Sequence, residues 1–502
     1  MASAEAGRGG VVSAAFAPTG EQEAIRDAYL EGGPLAVTAG AGTGKTSTLV
    51  LLGQAKPARA RYIAFNRSIA KEAERKFPKY VRTSTAHSLA FQAVGRYYRD
   101  RLDNQKRVPA REIANILKIN EPLRLAEHTL APQQVARLVM ETVKHYCYSA
   151  AEVPSGEHVP RRPGIKSPED MEILRQVLIP LAARAWEDIR KPDGRLKFDH
   201  DYYLKIWQLS GARIAGDVLF IDECQDLNPV LEAIVARQDA QLVSVGDPAQ
   251  QLYSWRGATN ALPRLGGGRM LTLSQSFRFG PAIAREANKW LGLMGEPLRL
   301  SGLDSIPSRV CEVGQPRAIL SKSNAGVMKQ VIDEVGAGRK VAIPSGKPGK
   351  PGGSEIESLA RAAQQLKAGR GTDHPELMAF QTWSEVRDYA ANDPGGDDLA
   401  VLVGLVDEHG AEKILDLTSK LVPEENADVV VSTVHKAKGR EWDSVLVTGF
   451  KKPGKLPEDD ETPLPPADVM RTLYVAKTRA KLELDRGTAA FVDDYLKTAV
   501  RA

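Results

Sequence analysis

A chain of 502 residues is too long for one ordinary core, so two large domains, or about three to four lobes, are expected. Its 42% hydrophobic and 26% charged content is globular and excludes a disordered or fibrous chain; the net charge of +5 permits a nucleic-acid partner without arguing for one. Three separated cysteines, Cys147, Cys224 and Cys311, with no Cys-x-x-Cys pair, argue against a disulfide framework, a zinc site or an iron–sulfur cluster. They point to a reducing, cytoplasmic compartment. No apolar stretch approaches membrane-spanning length, and Met1–Ala15 reads as a short flexible tail, not a signal peptide.

From the N-terminus, Phe16–Gln22 precedes a helix expected over Glu23–Tyr29. The Gln22 amide suits the N6/N7 edge of adenine; a capping turn is the alternative. Leu35–Val37 reads as a buried parallel strand. It leads into Ala39-Gly40-Ala41-Gly42-Thr43-Gly44-Lys45-Thr46-Ser47 and an apolar helix. Strand, glycine loop and helix with Gly-Lys-Thr make a P-loop. Loop N–H groups can surround phosphates, Lys45 can reach the β/γ-phosphates, and the Thr46 hydroxyl can bind Mg²⁺. Ala39 departs from the strict pattern, which begins with Gly.

A strand is expected at Arg61–Phe65, followed by Asn66 and a basic helix with Arg67, Lys71, Arg75 and Lys76. Another, Val81–Thr85, leads into His87-Ser88. Their ends lie on the P-loop side of a parallel sheet, where such folds place ligands, so Phe65, Asn66, Thr85 and His87 are candidates to face a substrate. Residues 96–190 are helical by pattern, at 111–118, 131–147 and 170–189, and are expected to form an insertion without strands. The sheet resumes at Asp217–Glu223, where an apolar strand ends in Asp222-Glu223. One carboxylate can hold Mg²⁺ opposite Thr46, and the next can orient and deprotonate water.

Gln241–Val245 is the next strand, and Gln250 in the following turn can reach a γ-phosphate. Tyr253, Trp255 and Arg256 on an exposed turn suit base stacking. Leu271–Leu273 leads to Ser276-Phe277-Arg278 and a helix, Pro281–Trp290. A further α/β segment, Arg317–Lys322, is followed by a Pro/Gly-rich stretch and a largely helical second insertion. The sheet returns at Ala427–Ser432, before Thr433, His435, Lys438, Gly439 and Glu441, and continues at Ser444–Val447. A helix is expected over Met470–Ala480 with Arg479 at its end, where Arg479 alone would read as a surface arginine.

In this order, Ala39–Thr46, Ala64–Arg67, Thr85–Ser88, Ile221–Asp226, Val245–Ala258, Gln275–Arg278, Ser432–Asp443 and Leu473–Ala480 closely resemble superfamily 1 helicases of the UvrD/Rep/PcrA type. The Ala-Phe-Asn-Arg stretch and compact second insertion are more similar to the F-box helicase and its bacterial or phage relatives, without room for an F-box ahead of Phe16. The resemblance implies an α/β fold of two RecA-like P-loop domains with parallel sheets, each carrying a mainly helical inserted subdomain. The expected divisions are 1–95 with 191–275 (first RecA-like domain), 96–190 (its insertion), 276–335 with 427–502 (second RecA-like domain) and 336–426 (a small insertion).

ATP and Mg²⁺ are then expected between the domains, on Ala39–Ser47. Gln22 is implied to read adenine and Phe277 to stack on it, while Ser47 replaces the family's arginine, leaving one face of the adenine clamp unmatched. Asp222 and Thr46 are implied Mg²⁺ ligands, Glu223 the water activator, Gln250 the γ-phosphate sensor, Arg278 and Arg479 arginine fingers, and Glu441 a contact to the ribose or its network. Phe65, Asn66, Arg67, Thr85, His87, Tyr253, Trp255, Arg256 and His435 match DNA contacts. The implied activity is 3′→5′ movement of a monomer on single-stranded and tailed duplex DNA, with RNA not excluded and replication or repair factors as loading partners. A translocase that displaces proteins without unwinding, and a nucleotide-dependent binding switch, are the competing readings.

Overall fold

The computed structural model describes residues 17–499 apart from 65, 104–107, 127–128, 163–164, 166, 253–259, 346–348, 373, 375, 378–379, 393–396 and 453–463. Fourteen strands are found among the described residues: β1 Leu35–Ala39, β2 Ala60–Ala64, β3 Val81–Thr85, β4 Leu123–Arg124, β5 Thr129–Leu130, β6 Val218–Ile221, β7 Gln241–Gly246, β8 Met270–Leu273, β9 Arg309–Val310, β10 Ala318–Ser321, β11 Val341–Ala342, β12 Val429–Thr433, β13 Trp442–Thr448 and β14 Ala480–Asp485. They build two six-stranded sheets, ordered β3-β2-β6-β7-β1-β8 and β11-β12-β10-β13-β14-β9. Every pairing in both is parallel. This is the α/β arrangement of two RecA-like domains.

The central strands are buried on both faces. Val218-Leu219-Phe220-Ile221 and Val429-Val430-Val431 are buried throughout, the near-continuous apolar runs that parallel sheets require. One face of the first sheet is covered by helices Gly20–Glu31, Lys45–Ala55 and Arg67–Lys76, through Ile25, Tyr29, Leu49, Leu52 and Ala73. Its other face opens into a large core that runs from Ile63, Leu219 and Ile221 to Leu174, Trp186 and Tyr146 of helices Pro132–Tyr148 and Pro168–Arg190. The first insertion therefore shares its hydrophobic core with the sheet it interrupts. It also recruits helix His200–Leu209, whose Tyr202, Leu204 and Trp207 lie in that core, although this helix falls in the range expected for the ATPase domain. The expectation of no strands here needs correction: β4 and β5 form an antiparallel pair, which two residues of alternation are too short to announce.

The second sheet is packed by helices Pro281–Leu293 and Ala467–Lys477 on one face, and by Asn324–Gly336 with the four helices between Ser354 and Ser419 on the other. Its edge strand β11 lies inside the range expected for the second insertion, so sheet and insertion overlap there. The helix expected over Met470–Ala480 ends at Lys477: Thr478 and Arg479 form a turn, and Ala480 begins β14. The apolar periodicity of Leu473 and Tyr474 hid a strand whose Ala-Lys-Leu-Glu-Leu-Asp alternation takes over at once.

Candidate nucleotide cleft and nucleic-acid interface

Three adjacent strands at the centre of the first sheet, β6, β7 and β1, each end in a functional turn. Parallel strands put those turns on one edge, where open α/β sheets bind ligands. After β1, Gly42 and Gly44 have φ of 76° and 78°, a left-handed conformation that costs glycine little. A Cβ on Gly42 would stand 2.6 Å from both Arg278 Cβ and Ser276 Oγ, so the loop is tightly backed by the strand-exit segment of the neighbouring β8. Ala39 and Ala41 are buried, Gly40 packs beneath Leu300, and Thr43 donates to the Gly40 carbonyl at 2.9 Å. Gly44 caps helix Lys45–Ala55, leaving its first N–H groups for a ligand.

After β6, Asp222 accepts from Thr46 Oγ1 at 3.1 Å and from Tyr62 Oη at 2.6 Å. Glu223 adopts φ 53°, a strained conformation for a non-glycine residue that persists only when its surroundings impose it. Its carboxylate lies 3.9 Å from Lys45 Nζ and accepts from Gln225 Nε2 at 2.6 Å. Burial opposes the Glu223 charge, but Lys45, Lys438 and the Gln225 bond outweigh it and hold the carboxyl well below its usual range. Asp222 moves the other way, pushed up by burial and by Glu223. Two neighbouring carboxylates thus have opposed environments. Among the described residues no group of three His, Cys, Asp or Glu converges on a metal position. A paired hydroxyl and carboxylate fits Mg²⁺, which takes few protein ligands and completes its shell with water and phosphate.

After β7, Asp247 accepts from Gln250 Nε2 at 2.6 Å. The second domain closes the cleft. Arg479 Nη2 lies 3.3 Å from Gln250 Oε1, and Lys438 bonds Asp226 and, at 2.8 Å, the Gln250 carbonyl. Arg479 is only 1% exposed, against the surface position its place in the sequence suggested. Burial first, then Arg278 beside it, lowers its pKa to about 9. Glu223 and Glu441 act on it in the opposite sense without outweighing burial. Arg278 is tied to Glu441 at 2.7 Å and to the Thr478 carbonyl at 3.1 Å.

At the outer end of the P-loop, a Cβ on Gly44 would stand 3.7 Å from Gln22 Nε2 and 3.8 Å from the Phe277 ring. Gln22 and Phe277 therefore meet there, with the Phe277 ring partly open to solvent and Ser47 exposed. The capping role for Gln22 is also real: it completes a capping box with Thr19, and its amide donates to Thr48 Oγ1 at 3.0 Å.

The family described as an AAA domain matches residues 21–256, and the UvrD-like helicase C-terminal domain matches residues 398–485. The chain belongs to the UvrD-like superfamily 1 helicases. F-box DNA helicase 1 of Gallus gallus is 30% identical over 92% of this chain and 48% of its own length; F-box DNA helicase protein 1 of Schizosaccharomyces pombe is 28% identical over 93% and 57%. DNA helicase IV of Escherichia coli is 25% identical over 57% of this chain and 50% of its own. The chain thus spans about half the length of these relatives.

The residues of this UvrD-like chain matched to DNA contacts are less unified than the cleft. Phe65, Tyr253, Trp255 and Arg256 lie outside the described residues. Asn66 caps helix Arg67–Lys76 and is exposed, as is Arg67. Thr85 caps helix Ala86–Ala93 in a capping box with Ser88. His87 Nε2 is 3.0 Å from Asp201 Oδ1, so its ring is oriented by the helical insertion. His435 is half-buried, with burial lowering its pKa and a backbone bond to Leu252 opposing that.

Sequence reasoning passed over Tyr62, Gln225, Asp247 and Tyr474 as functional groups, and left Lys438 without a role. Tyr62 and Tyr474 occupy regular apolar positions, and nothing local shows that their hydroxyls emerge at the cleft. Gln225, Asp247 and Lys438 lay inside the matched stretches, and their polarity at buried strand exits was the available signal.

Proposed function

We propose that the chain is a Mg²⁺-dependent, DNA-stimulated ATPase that moves 3′→5′ along single-stranded DNA and unwinds tailed duplex. The observation that carries this is the meeting, across one cleft, of Lys45, Asp222, Glu223 and Gln250 from the first domain with Arg278 and Arg479 from the second. In this reading ATP lies on the P-loop, with Gln22 and Phe277 at its base. Thr46 and Asp222 hold Mg²⁺, and Tyr62 orients Asp222. The ion supplies charge neutralisation at the phosphates. Glu223, kept ionised by Lys45 and Lys438, accepts the proton of the attacking water.

Arg479 meets the γ-phosphate, and Arg278 follows when phosphate outcompetes Glu441. Arginine fingers are worth about 10³–10⁵ in rate, so turnover depends on closure and loss of the γ-phosphate opens the cleft. Bases gripped at ~1–3 kcal/mol each can be held and released in every cycle. The relatives named as DNA helicases support DNA as the substrate, and the match to the Thr-x-His-Lys-Ala-Lys-Gly-x-Glu and Asp-Glu-Cys-Gln-Asp stretches supports the 3′→5′ direction. None of the described helices is long and apolar enough to cross a membrane, and the proposed setting is the cytoplasm, with the chain acting as a monomer.

The test is ATP turnover with and without single-stranded DNA, beside unwinding of 3′-tailed, 5′-tailed and blunt duplexes made of DNA and of DNA–RNA hybrid. Stimulated turnover and unwinding from a 3′ tail are expected. Absence of stimulation overturns the motor, unwinding only from a 5′ tail overturns the direction, and translocation without strand separation reduces the chain to a translocase.

A further inference from the structure

The Tyr474 hydroxyl stands between the two domains. It accepts from the Ala41 N–H of the P-loop at 3.2 Å and donates to Asp247 Oδ2 at 2.9 Å. The same Asp247 oxygen accepts from Gln250 Nε2 at 2.6 Å, and Asp247 Oδ1 accepts from the Ala249 N–H at 3.1 Å. Asp247 therefore fixes which way the Gln250 amide points: nitrogen toward the carboxylate, oxygen toward Arg479 Nη2 at 3.3 Å. Gln225 joins the circuit, accepting from the Asp247 N–H at 3.0 Å and donating to Glu223 at 2.6 Å.

Tyr474, Asp247, Gln250 and Arg479 are all at most 4% exposed, so water cannot replace a partner that moves away. Tyr474 also lies on the helix whose end presents Arg479, and Arg479 Nε bonds the Val475 carbonyl at 3.0 Å.

We infer that Tyr474 is the positioning residue that couples the P-loop main chain to the orientation of Gln250 and Arg479. A hydroxyl has one proton and two acceptor sites. While Ala41 and Asp247 both engage it, the loop, the sensor glutamine and the finger are held in one register. Displacement of the Ala41 N–H leaves a buried group short of a partner, which is costly, and the helix that carries Arg479 must respond. Tyr474 acts through Gln250 and Arg479 and does not itself meet the phosphates. This inference rests on the proposed ATPase reading.

Tyr474→Phe keeps the buried ring and removes only the hydroxyl. The test compares kcat and KM for ATP, with and without an oligo-dT strand, for wild type, Y474F, D247N and the double variant. Y474F is expected to lower DNA-stimulated kcat about tenfold or more while leaving KM for ATP within about threefold. The double variant is expected to be no worse than the worse single one, because both changes break the same link. A Y474F kcat within about twofold of wild type overturns the inference, as do losses that multiply in the double variant. A fall in thermal midpoint with unchanged kcat also overturns it, since that is a packing role. If Y474F does not fold, D247N carries the kcat test by itself, the same twofold criterion applying. Wild type without DNA stimulation refutes the motor reading instead, a result distinct from a stimulated wild type with an equally active Y474F.

Discussion

Lys438 offers the most direct test of how the two domains are joined. Its ammonium bonds Asp226 and the Gln250 carbonyl, and its side chain is only 9% exposed and that of Asp226 0%. Removing one member of a buried ion pair usually costs about 3–5 kcal/mol by stranding the other charge. Here the full penalty is not reached. Burial already pushes the Asp226 carboxyl up to about 6, with Lys438 opposing. Without the ammonium it rises further, and the carboxyl takes a proton more readily. In Lys438→Met, whose apolar stem refills most of the space, the expected loss is that of at least one charge-assisted bond, about 1.5–3 kcal/mol.

Because this bond crosses the cleft, the loss falls on the closed arrangement and on DNA-stimulated kcat, about ten- to a hundredfold. The assay is steady-state ATP hydrolysis at saturating single-stranded DNA across pH. The Asp226 carboxyl is ionised above pH about 6. The wild-type advantage is therefore largest there, and it narrows as pH falls through that value. A K438M kcat within about twofold of wild type at neutral pH, or an advantage that grows on acidification, refutes the reasoning.

Other substitutions probe separate parts of the cleft. Glu223→Gln preserves size and the Gln225 contact but cannot accept a proton; turnover is expected to drop about 10²–10⁴-fold while nucleotide and DNA still bind, as measured by filter or fluorescence binding. Retained turnover would place the base elsewhere. Tyr62→Phe removes the 2.6 Å bond to Asp222, so the Mg²⁺ concentration giving half-maximal ATPase should rise about tenfold or more; an unchanged Mg²⁺ titration removes Tyr62 from the site. Lys477 is buried against Glu286, and burial lowers its pKa from 10.5 to about 8 despite that partner. The unfolded chain then binds more protons between those values, so this lysine's contribution makes the fold more stable as pH rises through the window. The thermal midpoint of wild type should gain on that of Lys477→Met between pH 8 and 10.5, and parallel curves would contradict the assignment.

Local chemistry made much of this chain legible. The P-loop is a strand, a glycine turn and a helix in continuous sequence, and its pattern follows from conformations that glycine adopts freely. Asp222-Glu223 announced itself because two adjacent carboxylates interrupt an apolar run that is buried on both faces. The two-domain α/β class followed from the repeated alternation of such runs with helices. Other features had no local signature. Strands β4, β5, β9 and β11 are each two residues long and exist only because a neighbour supplies their hydrogen bonds. β14 starts within one turn of a helix and was absorbed into it.

Residue identity and spacing supply the chemical inventory: which groups can hold phosphate and cation, and which arginines could answer them. Tertiary structure decided the wiring. Arg479 reads as a surface residue in its own segment and is buried because 229 positions earlier Gln250 lies on the opposite wall. Tyr474 reads as an apolar core position, yet its hydroxyl reaches a P-loop amide 433 residues away. Such contacts depend on the packing of two domains, and periodicity reports only the face a residue presents to its own element.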